Sequence, residues 1–200
     1  GDDYKGKNIW ERLYPESEIV YFPRDVINIS STKIRSNPYK YYEYLPKIVQ
    51  KYYVKKVCIV GTESCGKSTL VRNLAKYFNT THVEEAGRYI CDDAGGIDNM
   101  QKYHYFEILF KHKQLEKEAL DNANKILLID TDSLITLYYY NLSFDRDKSF
   151  NDVAVGISNL NNYDLYLFLE PDVKWVDDGT RTYGEEDIRN SNNKILKKLL

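Results

Sequence analysis

Three cysteines in 200 residues, odd in number and without paired spacing, exclude a disulfide framework. No apolar stretch approaches the roughly 18 residues that cross a bilayer, and no signal peptide precedes the first predicted element. A reducing cytoplasm is therefore the expected compartment, with no membrane partner. An excess of one charge is also lacking. Lys and Arg number 28 against 30 Asp and Glu, a formal net charge of −2 that offers nucleic acid no electrostatic footprint. His82, His104 and His112 have no metal-like spacing to one another or to cysteine, and read as ordinary polar or partly buried histidines. Repeats and low-complexity tracts are absent as well. Small anions are the partners this pattern favours.

A hydrophobic fraction of 42% is enough for one domain of ordinary size plus a small appendage. Residues 1–37 carry a helical piece around Trp10 and a short predicted strand, Ile19 to Phe22, ahead of Pro23, which together cannot bury a core. The hydroxyl-rich run Ile29-Ser30-Ser31-Thr32-Lys33-Ile34-Arg35 is suited to capping a helix, and Asn37-Pro38 closes it. Residues 38–53, with Tyr41, Leu45, Ile48, Val49 and Tyr52, read as a linker helix, and residues 54–200 as the main domain. Strand and helix signals then alternate, as in a parallel α/β sheet with right-handed crossovers. The predicted strands are Val57 to Val60, one ending near Val83, Ile126 to Ile129, and Leu165 to Leu169. Helices are predicted from near Lys67, over about Asn99 to Ala123, and from about Glu186 to Leu200. Asp145 to Asp152 reads as an irregular, solvent-facing stretch. Nineteen tyrosines, clustered at Tyr39 to Tyr44 and Tyr138 to Tyr140 without interleaved basic residues, are read as packing groups.

The octapeptide Gly61-Thr62-Glu63-Ser64-Cys65-Gly66-Lys67-Ser68 fits the phosphate-cradling pattern G-x-x-x-x-G-K-[ST], between a predicted strand and helix. Its glycines permit a tight turn that brings backbone N–H groups to phosphate, and the following helix points its positive dipole end at the same anions. Lys67 would reach the β/γ-phosphates, the Ser68 hydroxyl would ligate Mg²⁺, and Thr69 continues the loop into the helix. A nucleotide binder is implied. Cys58 in the strand and Cys65 in the loop are read as inert thiols.

Ligands of open α/β sheets bind at the carboxyl ends of the strands, so the residues just past each strand are the candidates. Asp130-Thr131-Asp132-Ser133 follows the third strand; Asp130 suits Mg²⁺ ligation, and either Asp132 or Ser133 suits a helix cap. Glu84-Glu85 with Arg88 follows the second strand, where a carboxylate would lie within reach of an acceptor hydroxyl. Past the fourth strand, Arg181 and Arg189 suit a lid that closes over a triphosphate.

Taken in order, these segments resemble the bifunctional NadR-type proteins, which couple nicotinamide-mononucleotide adenylyltransferase to ribosylnicotinamide kinase. Ile29 to Arg35 is similar to the I-S-x-T-x-I-R motif that closes the adenylyltransferase domain. Gly61 to Thr69, Glu85-Ala86-Gly87-Arg88, Leu128 to Asp132, and Trp175 to Arg181 are similar to successive kinase segments. The resemblance implies an α/β, P-loop kinase-like three-layer parallel sheet behind a short remnant of a nucleotidyltransferase domain. It further implies ATP and Mg²⁺ as cofactors and nicotinamide riboside as substrate, in a small cytoplasmic enzyme that a homo-oligomer would also suit. Lys67, Glu85, Asp130, Asp132 and Arg181 are the implied catalytic set, with Gly61 to Thr69, Arg181 and Arg189 at the nucleotide. Glu84, Glu85, Arg88, Asp130, Thr131 and Asp132 would serve the acceptor. Which of Glu85 and Asp132 is the base stays open.

Three departures qualify the likeness. An upstream H-x-G-H is not among these residues, so no adenylyl transfer is expected. Ala86 replaces the aromatic of E-Y-A-R, which would remove a ring from beside the substrate. Only four strands are predicted where such kinases usually carry five, and the chain opens on Gly1-Asp2-Asp3, so a fragment or processed product is expected. The alternatives are a kinase for another nucleoside or nucleotide, which needs more arginines at the acceptor, and a regulatory module that binds ATP or NAD without catalysis.

Overall fold

The computed structural model describes residues 9–20, 27–175 and 186–199, and the chain divides into two compact units, Gly1–Pro46 and Lys47–Leu200. Among its described residues the first unit holds two short α-helices, α1 (Ile9–Leu13) and α2 (Ser31–Ser36). Ser30 caps α2, its side chain accepting from the Lys33 N–H at 3.2 Å, which is the role its hydroxyl suits. Ile19 and Val20 are irregular rather than a strand, and the rest of that predicted strand lies outside the described residues.

The linker helix expected over residues 38–53 is broken into a 3₁₀ turn at Tyr42–Tyr44, α3 (Lys47–Gln50) and a second 3₁₀ turn at Lys51–Tyr53. Pro46 is the cause. A residue before proline is driven out of the helical region, and Leu45 is extended with ψ 135°.

The second unit continues as β1 (Lys55–Gly61), α4 (Lys67–Tyr77), β2 (His82–Val83), α5 (Ala86–Asp93), α6 (Lys102–Leu120), β3 (Ile126–Asp130), α7 (Ser133–Ser143), α8 (Lys148–Leu160), β4 (Leu165–Leu169) and α9 (Glu186–Leu199). The sheet runs in the order β2-β3-β1-β4, parallel throughout. Ile59 stands opposite Asp130, and Gly61 opposite Leu169. Alternation along β1 divides the core into two layers. Val57 and Ile59 pack with Val71 and Ala75 of α4, while Cys58 and Val60 pack with Ile135, Tyr138 and Leu196. Both faces of the central strands are thus dry, which is why they read as continuous apolar runs. β4 lies at the edge of the sheet, with Leu165 and Tyr166 exposed. Among the described residues no helix is long and apolar enough to cross a membrane.

The stretch Asp145 to Asp152 is not irregular throughout, contrary to expectation. It holds the start of α8, capped by the Asp147 carboxylate on the Ser149 N–H at 2.9 Å. From there Phe150, Val153, Ala154 and Ile157 recur at helical spacing and pack with Tyr105 and Tyr140 of α6 and α7. Phe150 is fully buried, its ring stacked on Tyr140 with centroids 4.0 Å apart. Tyr138 and Tyr140 are packing groups as expected, whereas Tyr39 and Tyr44 of the first cluster are exposed. Phe150→Ala should therefore destabilise the second unit by roughly 3–5 kcal/mol in urea unfolding, the cost of deleting a buried ring from a packed site.

Candidate active site

The carboxyl ends of β1, β2 and β3 open into one cavity of about 300 Å³. Glu63, Ser64, Gly66, Lys67, Ser68 and Thr69 of the glycine-rich loop line one end of it. Gly66 with φ 87° and Ser64 with φ 57° make the left-handed turns that bend the loop, and Gly66 accepts the first bond of α4 through its carbonyl. Gly61 is required for a different reason. A Cβ there would lie 2.6 Å from the Leu169 carbonyl oxygen and 2.8 Å from Cys65 Sγ. Thr62 and Cys65 lie beneath the loop rather than along the cavity, and burial pushes the Cys65 thiol pKa up, in keeping with an inert thiol. The Thr62 carbonyl accepts two bonds, from Lys67 Nζ at 2.8 Å and from Cys65 Sγ at 3.0 Å. Lys67 is 8% exposed, a cation held on the loop itself at the cavity wall.

Asp130 ends β3 almost fully buried. Burial, then the charge of Glu85, raises its pKa to about 6; Lys67, the Ser68 hydroxyl donating to the carboxylate, and Arg88 pull it back. Its Oδ1 atom is buried with no hydrogen-bond partner. The next residue, Thr131, is β-branched yet has φ 70°, and it lines the cavity with its hydroxyl oxygen buried and unpartnered. His112 of α6 is buried, its Nε2 3.1 Å from the Asp130 main-chain oxygen, and burial lowers its pKa.

Asp132, in contrast, is spent on structure. Its Oδ1 accepts from the N–H groups of Leu134 at 3.0 Å and Ile135 at 3.2 Å, capping α7, and its Oδ2 accepts from the Tyr166 hydroxyl at 3.1 Å. It does not line the cavity, so of the two open candidates for a base only Glu85 faces it. Glu84 is likewise turned away, paired with Arg72 Nε at 3.3 Å and His82 Nε2 at 3.6 Å and accepting from Tyr89 Oη. Ala86 is fully buried in the core with Tyr105 and Ile108. Ala86 itself does not line the cavity, although Tyr105 and Ile108 beside it do.

Glu85 and Arg88 both line the cavity, together with Arg72, Gly87, Cys91 and Met100. The far wall comes from Tyr105 and Ile108 of α6 and from Ile135, Thr136, Tyr139 and Ser143, one face of α7. Arg72 and the α7 face are additions to the predicted site. Spacing from the Asp132 cap identifies that face, whereas Arg72 looks like any solvated helical arginine. Arg189 of α9 is 7% exposed, donates from Nη2 to the Val173 carbonyl at 3.1 Å, and lines a small second cavity with Thr62, Glu63 and Tyr139. It sits behind the loop rather than over it. Arg181 and the rest of the predicted lid lie outside the described residues.

The donor set fits Mg²⁺. Hard oxygen ligands are present as the Ser68 hydroxyl and an Asp130 carboxylate with one unpartnered oxygen. Among the described residues no group of three or more His, Cys, Asp or Glu is placed to hold a metal ion.

A glycine-rich loop on a central parallel strand, with a buried carboxylate at the end of the next strand, defines a P-loop nucleotide-binding fold of the kinase-like type. The chain belongs to the AAA domain family, which matches residues 56–200. It is 36% identical over 192 residues to the trifunctional NAD biosynthesis/regulator protein NadR of Salmonella typhimurium, and equally to that of Escherichia coli strain K12, with 95% of this chain aligned to 46% of each relative. The chain thus spans about half the length of the curated relatives it matches. Of solved structures, NadR protein in complex with NR superposes with a TM-score of 0.74 at 25% identity, over 90% of this chain and 52% of that one. NadR protein with NAD and AMP-PNP gives 0.72 at 23%, over 90% and 50%. Thymidylate kinase from Candida albicans shares the fold more loosely, at 0.50 and 15% identity over 74% and 78%.

Gly61→Ala should lower the midpoint of thermal unfolding, by an amount equivalent to roughly 2–4 kcal/mol, because both the steric overlap and the φ of 151° act against any side chain.

Proposed function

We propose that this chain transfers the γ-phosphoryl group of ATP to the 5′-hydroxyl of nicotinamide riboside, yielding nicotinamide mononucleotide and ADP. The observation that carries the reading is the single cavity in which the glycine-rich loop, Asp130 close by and Glu85 converge, with an apolar far wall for a nucleoside. Similarity to NadR, one member of which was solved with NR, supports the choice of acceptor.

The acceptor oxygen attacks the γ-phosphorus as the bond to the β,γ-bridging oxygen breaks, and the hydroxyl proton passes to Glu85. Lys67 leaves the Thr62 carbonyl to follow the charge on the β- and γ-phosphates. Ser68 and Asp130 would hold Mg²⁺, which when bound neutralises charge on the phosphate oxygens. Since phosphoryl transfer is largely positioning and charge stabilisation, the loop and Lys67 carry more of the rate than the base. Glu85 near the acceptor also suits a cationic nicotinamide ring. Arg181, on sequence grounds, would close the lid, and Arg189 would brace the loop from behind. Ile29 to Arg35 would be the end of an adenylyltransferase-like segment.

A second reading is favoured by one observation. Arg72 and Arg88 both reach the cavity, and two arginines suit a phosphorylated acceptor. Arg72 is half-exposed and already paired with Glu84, which weakens that case.

A coupled assay over nicotinamide riboside, deoxynucleosides and nucleoside monophosphates with ATP and Mg²⁺ should show riboside turnover far above the others; preferred turnover of a monophosphate would establish the second reading instead. Lys67→Ala should lower kcat/KM by at least about 100-fold, the loss typical of removing one preorganised charge donor. Glu85→Gln should cost roughly 100-fold in kcat, while Glu84→Gln, outside the cavity, stays within about twofold of the parent.

A further inference from the structure

We propose that His112 is a positioning residue that fixes the turn from which Asp130 reaches Ser68. The ring lies on α6, outside the strands and the glycine-rich loop, yet its Nε2 is 3.1 Å from the main-chain oxygen of Asp130. A carbonyl can only accept, so Nε2 carries the proton and donates. His112 is 6% exposed, so no solvent competes for that oxygen.

The backbone it holds is strained. Thr131, with φ 70°, sits in the left-handed region that a β-branched residue avoids, a conformation costing about 1–3 kcal/mol that persists only where neighbours over-determine it. Those neighbours can be enumerated. The Thr131 N–H donates to the Ile59 carbonyl at 3.0 Å, Cys58 Sγ donates to the Thr131 carbonyl at 3.2 Å, and the Asp132 carboxylate caps α7. The first holds the amide end of the peptide that joins Asp130 to Thr131, and the other two secure the turn at Thr131 and beyond. His112 alone among these side chains bonds the main chain of Asp130 itself, at the carbonyl end of that peptide, two bonds from the Cα that carries the carboxylate. With that carbonyl released, the peptide plane between Asp130 and Thr131 is held only at its amide end, by the Thr131 N–H bond to Ile59, and can tilt about that bond, which shifts the carboxylate relative to Ser68.

The brace has a second attachment. Ile108, one helical turn before His112 on α6, lines the cavity. A ligand pressed on that wall therefore rests on the same helix that holds Asp130.

The inference leans on the kinase reading only for Asp130 as a metal ligand, so its test reads metal binding directly. Mn²⁺ is titrated by electron paramagnetic resonance into the full chain saturated with AMP-PNP, alongside AMP-PNP affinity without metal. His112→Met should weaken Mn²⁺ binding by about tenfold or more, the usual cost of losing a partner behind a ligand, with metal-free AMP-PNP affinity unchanged. His112→Gln, whose amide reaches the same carbonyl, should restore most of the affinity. Parent-like Mn²⁺ binding in His112→Met, or equal loss in His112→Gln, overturns the assignment. Should circular dichroism show His112→Met unfolded, His112→Asn takes its place: its shorter amide cannot reach the carbonyl, so weaker binding than His112→Gln supports the brace and parity of the two overturns it. A chain that shows this pattern yet phosphorylates no riboside refutes the proposed reaction and leaves the brace standing, and a riboside kinase indifferent to His112 does the reverse.

Discussion

Ile59 of β1 lies opposite Asp130 of β3, and this one register sets the level of everything at the carboxyl edge of the sheet. The two strands run parallel and are dry on both faces, so neither can slip by a residue without turning core side chains to the wrong layer. With the register fixed, the glycine-rich loop leaves β1 just where Asp130 leaves β3, and the two meet without any long side chain spanning a gap. β4 clamps the loop from the other flank, its Leu169 carbonyl so close to Gly61 that no side chain fits between them. Geometry at the candidate site is thus inherited from main-chain pairing.

Electrostatics then follow from burial. Asp130 is removed from water with Glu85 nearby and one oxygen unpartnered, so its carboxylate holds its proton more tightly than an exposed one and a nearby cation would relieve that. Lys67 and Arg88 answer only part of that demand. A polyanion arriving with its own cation would complete the balance, which a bare polyanion would worsen at Asp130. The other side of the cavity is quieter, made of Tyr105, Ile108, Ile135 and Tyr139, where shape rather than charge would choose the occupant.

Much of this could be read from residue order. The loop, the four parallel strands and the carboxylate closing β3 are local patterns with strong physical signatures, and the structure has them. What escaped was orientation. β2 is two residues long, too short for alternation to say which of Glu84 and Glu85 faces inward. Asp130 and Asp132 look alike in sequence, yet a left-handed Thr131 between them sends one toward Ser68 of the glycine-rich loop and the other to the start of α7. Charged residues at Asp145 to Asp152 masked the start of α8, although the Asp147 cap and the Phe150-Val153-Ala154-Ile157 stripe were there to find. Position 86 looked like part of a binding motif because its neighbours are; its own side chain belongs to the core.

One small arrangement bears on how readily the loop can work. The Thr62 carbonyl holds two donors at once, the Lys67 ammonium and the Cys65 thiol. When the lysine departs for an anion, the thiol stays, so the buried oxygen is never stripped of partners. Cysteine at position 65 would in that event act as a placeholder, keeping one donor on the Thr62 carbonyl.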